Sequence, residues 1–281
     1  MGRMGRGWAL SKESWAIVKA DRSLLVFPVV AGIGALIAVA AFGGAGAGLY
    51  STSTPLAIAV AVIGLYVVIA FSIYCNVALA ACAARSLEGE DTRPSEGWSA
   101  ARERIGPVLG WALLQLVVGG LITALQAFLR EGAGQIVGAL VGGLANIGWT
   151  VATFFVIPVI AFARLGPKDA LKRSLAVLRE RWGEGIAGTF AIGAIVFLAA
   201  FLPGALLVAL GIVLGGAGGA VLIVLGVAVF LVGAVVQNTL MAVFKVALYR
   251  FATEDRVLGR FEREQLESAF RPRGRFGRAA A

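Results

Sequence analysis

Six stretches of this chain carry no charged side chain and are each longer than 20 residues: 24–49, 55–84, 107–129, 135–163, 185–210 and 219–244. A helix rises 1.5 Å per residue, so about 20 apolar residues cross roughly 30 Å of hydrocarbon. Inside lipid every backbone N–H and C=O needs an internal partner, which leaves only helices and closed barrels. The runs are continuously apolar and lack the alternation of a barrel strand. The expected fold is therefore all-α, a polytopic bundle of six transmembrane helices.

Composition supports this and narrows the chemistry. The chain is 59% hydrophobic and 15% charged, with a mean hydropathy of +0.88; soluble domains carry roughly 25% charged residues. A soluble core, a disordered chain, a disulfide scaffold and a nucleic-acid domain are all excluded as the main identity. There is no histidine, and the two cysteines, Cys75 and Cys82, lie in one apolar run. Seven residues apart on a helix, they are about 10 Å apart in rise, too far for a disulfide, and read as small packing residues. Zinc chemistry and Ser-His or Cys-His nucleophile pairs lack their ligands and bases. Neither a phosphate-binding loop nor a dinucleotide fingerprint occurs. The expectation is a protein that is not an enzyme and has no cofactor.

Charge sets the orientation. Of the 25 Lys and Arg residues, 24 fall in the amino-terminal segment, the second and fourth connections and the carboxyl-terminal end; the opposite connections, 50–54, 130–134 and 211–218, hold only Arg130. Cytoplasmic flanks concentrate positive charge, so both termini are expected in the cytoplasm of a multi-pass plasma-membrane protein. The flank before the first span contains Glu13 and Asp21 and is long, which reads as a retained segment rather than a cleaved signal.

Three parts follow: a cytoplasmic amphipathic segment at 1–23, a six-helix transmembrane domain at 24–252, and an amphipathic and basic tail at 253–281. Similar strings begin at Trp15, Trp98 and Leu175, each ahead of a pair of spans. This suggests cytoplasmic interfacial helices and a three-fold internal repeat. Trp8, Trp15, Trp98 and Trp182 stand beside Lys and Arg, as suits helices at headgroup level. Four Arg between 271 and 278 point to anionic lipid headgroups on the cytoplasmic side as a partner, rather than to nucleic acid. Glu88, Glu90, Asp91 and Glu96 read as a solvated turn.

The segments flanking the spans carry a resemblance. Gly7, Trp8, Ser14 and Trp15 lead into Leu24 and Pro28; Phe155 and Pro158 precede Gly166, Pro167, Ala170, Leu171 and Ser174. Phe244 and Lys245 precede Ala247, Leu248, Tyr249, Arg250, Phe251 and Ala252, and Ala269 and Phe270 close the pattern. In these positions the chain resembles a family of uncharacterised prokaryotic integral membrane proteins of six spans, a domain of unknown function, over nearly its whole length. The resemblance implies a fold and a location and supplies no activity. Arg164 departs from the pattern, which is acidic there, so no carboxylate role transfers to it. A looser topological similarity links the chain to the membrane portions of some glycerophosphodiester phosphodiesterases, whose catalytic domain has no counterpart here.

Within the spans, Gly134, Gly138 and Gly142 recur every four residues and continue to Asn146, a stripe expected to pack against a neighbouring helix. Gly211, Gly215 and Gly219 repeat that spacing where a flexible loop is expected. Pro158 and Pro203 are expected to kink their helices. Asn76, Gln115, Gln237 and Asn238 are amides in the spans. Asn76, Gln115 and Asn238 lie at matched depth, about 10–12 Å from the cytoplasmic ends at 1.5 Å per residue. They read either as interhelical struts or as one cytosol-facing polar site with Lys245 at its rim. The favoured function is a non-enzymatic scaffold, assembly or regulatory component with protein partners or as a homo-oligomer. The alternative is a transporter or channel for a neutral or lipidic solute.

Overall fold

The protein is described by a computed structural model that covers residues 14–181 and 197–255. Nearly all of these residues are helical and no strand occurs among them. After α1 (residues 14–20) come a 3-10 turn at Arg22–Leu25, α2 (Val26–Tyr50), α3 (Thr54–Leu87), α4 (Pro94–Arg102), α5 (Ile105–Ala133), α6 (Gln135–Ala152), α7 (Val156–Ala163) and α8 (Pro167–Arg181). A π-helical turn at Phe197–Phe201 then opens α9 (Leu202–Leu214), which is followed by α10 (Gly216–Glu254). Trp8, Trp182, residues 185–196 of the fifth expected span and the tail past Asp255 lie outside the described residues.

Six segments are long and apolar enough to cross a membrane: Arg22–Tyr50, Thr54–Leu87, Ile105–Gly132, Gln135–Ala163, Phe197–Leu214 and Gly216–Glu254. The expected number of spans is met. Two of them run further than expected: α3 has 34 residues and α10 has 39, about 51 and 58 Å at 1.5 Å per residue against roughly 30 Å of hydrocarbon. Burial explains the surplus. Leu56, Ile58, Val62 and Leu65 of α3 are exposed, as lipid-facing side chains should be, whereas Ala70, Ile73, Cys75 and most residues from Val77 to Leu87 are buried in protein. In α10 the change falls at Thr239, with Val224, Leu231 and Val232 exposed before it and most of 239–252 buried after it.

The chain divides into two compact units, Val26–Cys82 with Arg93–Leu178, and Met1–Leu25 with Ala83–Thr92 and Arg179–Ala281. In the first, α2 and α3 form a hairpin in which Gly34 receives the ring of Phe71 and Gly64 the ring of Phe42. The short α4 begins at Pro94, with the Arg93 N–H donating to the Glu96 carboxylate at 3.2 Å. Trp98 of α4 stacks on Tyr74 at 5.6 Å between ring centroids and meets Phe27 edge-on at 4.8 Å. Trp98 is thus half-buried between two rings. Its neighbour Gly97 makes this approach possible: a β-carbon there would stand 2.8 Å from the Ala78 carbonyl.

The other hairpin of this unit, α5 and α6, turns at Gly134 with φ 94°. Gly134 is therefore a turn residue and not the start of the packing stripe. Gly138 and Gly142 lie against α5; a β-carbon on Gly138 would come within 2.9 Å of the Gln126 carbonyl, and one on Gly142 would collide with the Gln126 side chain.

The second unit contains the α9–α10 hairpin. The expected eight-residue loop at 211–218 is a tight turn, with Gly215 and Gly216 at φ 62° and 58°, a region open to glycine without steric cost. Helix continues on either side of it. Far from supplying flexibility, Gly211 and Gly219 bring two backbones together: a β-carbon on Gly211 would lie 2.6 Å from the Gly219 carbonyl. Two turns away Gly204 and Gly226 meet in the same way, at 3.1 Å from a Gly204 β-carbon to the Gly226 carbonyl. Pro203 follows the π-turn at Phe197–Phe201; a proline blocks the α-helical hydrogen bond four residues back, and widening the turn accommodates its ring.

A polar knot in this unit ties the chain together before the first span. Asp21 accepts from the Ser23 N–H at 3.1 Å, from the Ser23 hydroxyl at 2.5 Å, and from the Thr92 hydroxyl. The connection after α3 is thereby fixed to the start of the first span. In the acidic stretch before Thr92, Glu90 pairs with Arg85 at 2.7 Å.

Candidate functional site

Side-chain hydrogen bonds in the spans can serve a ligand or the fold, and their partners decide which. Asn76 Nδ2 donates to the Ser72 carbonyl of its own helix at 2.8 Å. Gln115 Oε1 accepts from Trp149 Nε1 at 3.2 Å, joining α5 to α6 beside a stacked pair of rings, Trp111 and Trp149, at 5.8 Å. Asn146 Nδ2 donates to the Gly142 carbonyl at 2.9 Å, one turn back in the same helix. Asn76 and Gln115 belong to one unit and have separate partners. Gln237, Asn238 and Lys245 belong to the other unit, on α10, where Asn238 is exposed and Gln237 and Lys245 are half-buried.

The fourth span breaks at 153–155 between α6 and α7, in the turn ahead of Pro158, where a kink is expected; what the residue pattern did not reveal is how the break is covered. A break of this kind strands backbone groups that lipid cannot satisfy. Ser174, fully buried on α8, covers it: its hydroxyl donates to the Ala152 carbonyl at 2.8 Å and accepts from the Phe155 N–H at 3.2 Å. Thr153 donates its hydroxyl to the Trp149 carbonyl at 2.8 Å on the same broken turn.

A charged cluster lies at the ends of the third and fourth spans in the same unit. Arg164 ends α7 in the left-handed region at φ 52°, unusual for a residue with a β-carbon. Its Nη2 lies 3.1 Å from Glu103 Oε2, and Arg104 Nη1 lies 3.7 Å from that same oxygen. Arg104 Nη1 also donates to the Ala100 carbonyl at 2.6 Å, while its buried Nε–H meets no acceptor among the described residues. The Arg104 side chain is 13% exposed, against 72% for Arg164 and 56% for Glu103. Burial, and then the charge of Arg164, lower the Arg104 guanidinium from its ordinary pKa. Pro167, which opens α8, rests on Gly110 of α5, where a β-carbon would be 3.0 Å from the ring. The amino-terminal turns of α5 and α8 thus lie side by side near the cluster.

Six long apolar helices, with exposed aliphatic side chains over much of their length, define a multi-pass helical membrane protein. The profile of a family of unknown function, DUF6159, matches residues 56–259, and the chain belongs to that family. The resemblance read from the residues is thus to a family of the kind found, although the match begins after the first span. No curated protein matches the chain.

Proposed function

We propose that the protein is a non-enzymatic scaffold, assembly or regulatory component of the plasma membrane, with both termini in the cytoplasm. The reading is carried by the use of the amides: Gln115 joins α5 to α6 through Trp149, and Asn76 and Asn146 each donate to a carbonyl of their own helix. The concentration of Lys and Arg on one side supports the orientation. Transport of a neutral or lipidic solute is the second reading, favoured by the exposed amide of Asn238 on α10.

Reconstitution separates the two. In liposomes, the purified full-length chain is expected to leave glycerol efflux and the flipping of a labelled phosphatidylcholine at the rates of protein-free vesicles. In mild detergent it is expected to co-purify stoichiometrically with a protein partner or with itself. Efflux or flipping well above the empty vesicles, abolished by Asn238→Leu, would replace the scaffold reading with the transport one.

A further inference from the structure

We propose that Arg104 and Arg164 hold the phosphate of an anionic membrane lipid. This goes beyond the scaffold reading and does not depend on it, requiring only that the chain lie in a bilayer. Two guanidiniums converge on one oxygen, at 3.1 and 3.7 Å. That oxygen belongs to the largely exposed carboxylate of Glu103, which can neutralise one guanidinium but not both. The Arg164–Glu103 pair is exposed and contributes little stability, on the order of 0–1 kcal/mol, so stability does not account for Arg164 at this place. A phosphate has several acceptor oxygens, and guanidinium forks match them well. An oxygen of a phosphate set where Glu103 Oε2 now lies would stand 3.1 Å from Arg164 Nη2 and 3.7 Å from Arg104 Nη1. Arg104 is already largely desolvated, which strengthens its attraction for an anion, and its buried Nε–H meets no acceptor among the described residues. The adjoining amino-terminal turns of α5 and α8 add positive potential.

A phosphate could come from a lipid headgroup or from solution, and the surroundings favour the lipid. Ile105 and Leu109, one helical turn apart and directly after Arg104, are exposed at 45% and 41%. They begin the apolar surface of the third span, where acyl chains attached to a bound phosphate would run. Arg164 likewise follows directly on the end of the fourth span at Ala163.

The test uses the full-length chain in a neutral detergent, titrated separately with dioleoyl phosphatidylglycerol, dioleoyl phosphatidylcholine and inorganic phosphate. Binding is read from lipid retained in native mass spectrometry and from the thermal midpoint. Phosphatidylglycerol is expected to bind most tightly. Arg164→Gln should weaken it about tenfold, and Glu103→Gln, which removes the competing carboxylate, should tighten it several-fold. Both side chains are exposed, so neither variant depends on refolding a core. Arg102→Gln, at an exposed arginine outside the pair, should leave binding unchanged. Equal affinity in wild type, Arg164→Gln and Glu103→Gln overturns the site. An equal loss in Arg102→Gln and Arg164→Gln would show diffuse attraction and overturn it too. Inorganic phosphate binding as tightly as phosphatidylglycerol would overturn the lipid assignment.

Discussion

Leucine at Gly219 or Gly211 is expected to force apart the last hairpin and lower its stability by roughly 3 kcal/mol or more, the upper end of overpacking costs. The thermal midpoint in detergent should fall by about 10 °C. The reason is reciprocal contact: a β-carbon on either glycine meets the backbone of the other, at 2.6 Å from the Gly219 carbonyl when built on Gly211. A carbonyl held in a helix cannot turn aside as a side chain can. In lipid, close backbone approach supplies much of what holds helices together, because apolar side chains gain little by leaving lipid tails. Even alanine at Gly219 should therefore be harmful. Gly218, one residue away, has open space where its β-carbon would be. Gly218→Ala should be neutral, or stabilise by up to about 1 kcal/mol through helix propensity. Equal midpoints for Gly219→Leu and Gly218→Ala would show that α9 and α10 do not meet at this face.

Removing the Ser174 hydroxyl is the second large effect. Ser174→Ala takes the partner from the Ala152 carbonyl and from the Phe155 N–H at the break in the fourth span. Each buried group left without a partner costs about 1–3 kcal/mol, so a loss of roughly 2–4 kcal/mol is expected. Ser174→Thr keeps the hydroxyl and should retain more of the stability, less the strain of one added methyl group in a fully buried position. Thermal unfolding of the three proteins in one detergent checks the order, wild type above Ser174→Thr above Ser174→Ala. An unchanged midpoint for Ser174→Ala would mean that the break is satisfied without α8.

These positions also show how far the sequence could be read. Spans are legible because lipid demands about 20 apolar residues in a row, a requirement written in consecutive letters. What each apolar residue faces is not. Leu65 and Leu79 are the same residue on one helix, yet Leu65 is exposed and Leu79 is buried. Lipid and protein interior select alike, so the protein-packed ends of α3 and α10 could not be told from membrane. Gly211 and Gly219 looked like loop residues because glycine also marks turns. Their seven-residue spacing to Gly204 and Gly226 becomes a contact pattern only once the turn at Gly215 sets the antiparallel register. Ser174 was hidden in a different way: it belongs to the pattern of the resemblance, but its partners lie 19 and 22 residues back along the chain. The ring contacts of Trp98 with Phe27 and Tyr74 were not legible, because a tryptophan beside arginine gives no sign of which aromatic residues it meets. Glu103 and Arg164, 61 residues apart, give no local sign of their pairing.

The six-span arrangement underlies every other conclusion, and single-cysteine labelling in intact cells tests it most directly. Cys75 and Cys82 are each 1% exposed, and replacing both with alanine gives a silent background. New cysteines at Ser51, in the turn that joins the first and second spans, and at Gly132, exposed at the end of the third span, should react with a membrane-impermeant maleimide added outside. A cysteine at Ser95, exposed at the start of α4, should react only after the cells are opened. Labelling of Ser51 and Gly132 from outside with Ser95 protected is the predicted result. Labelling of Ser95 in intact cells together with Ser51 would contradict it, since both ends of α3 would then lie on one side of the membrane.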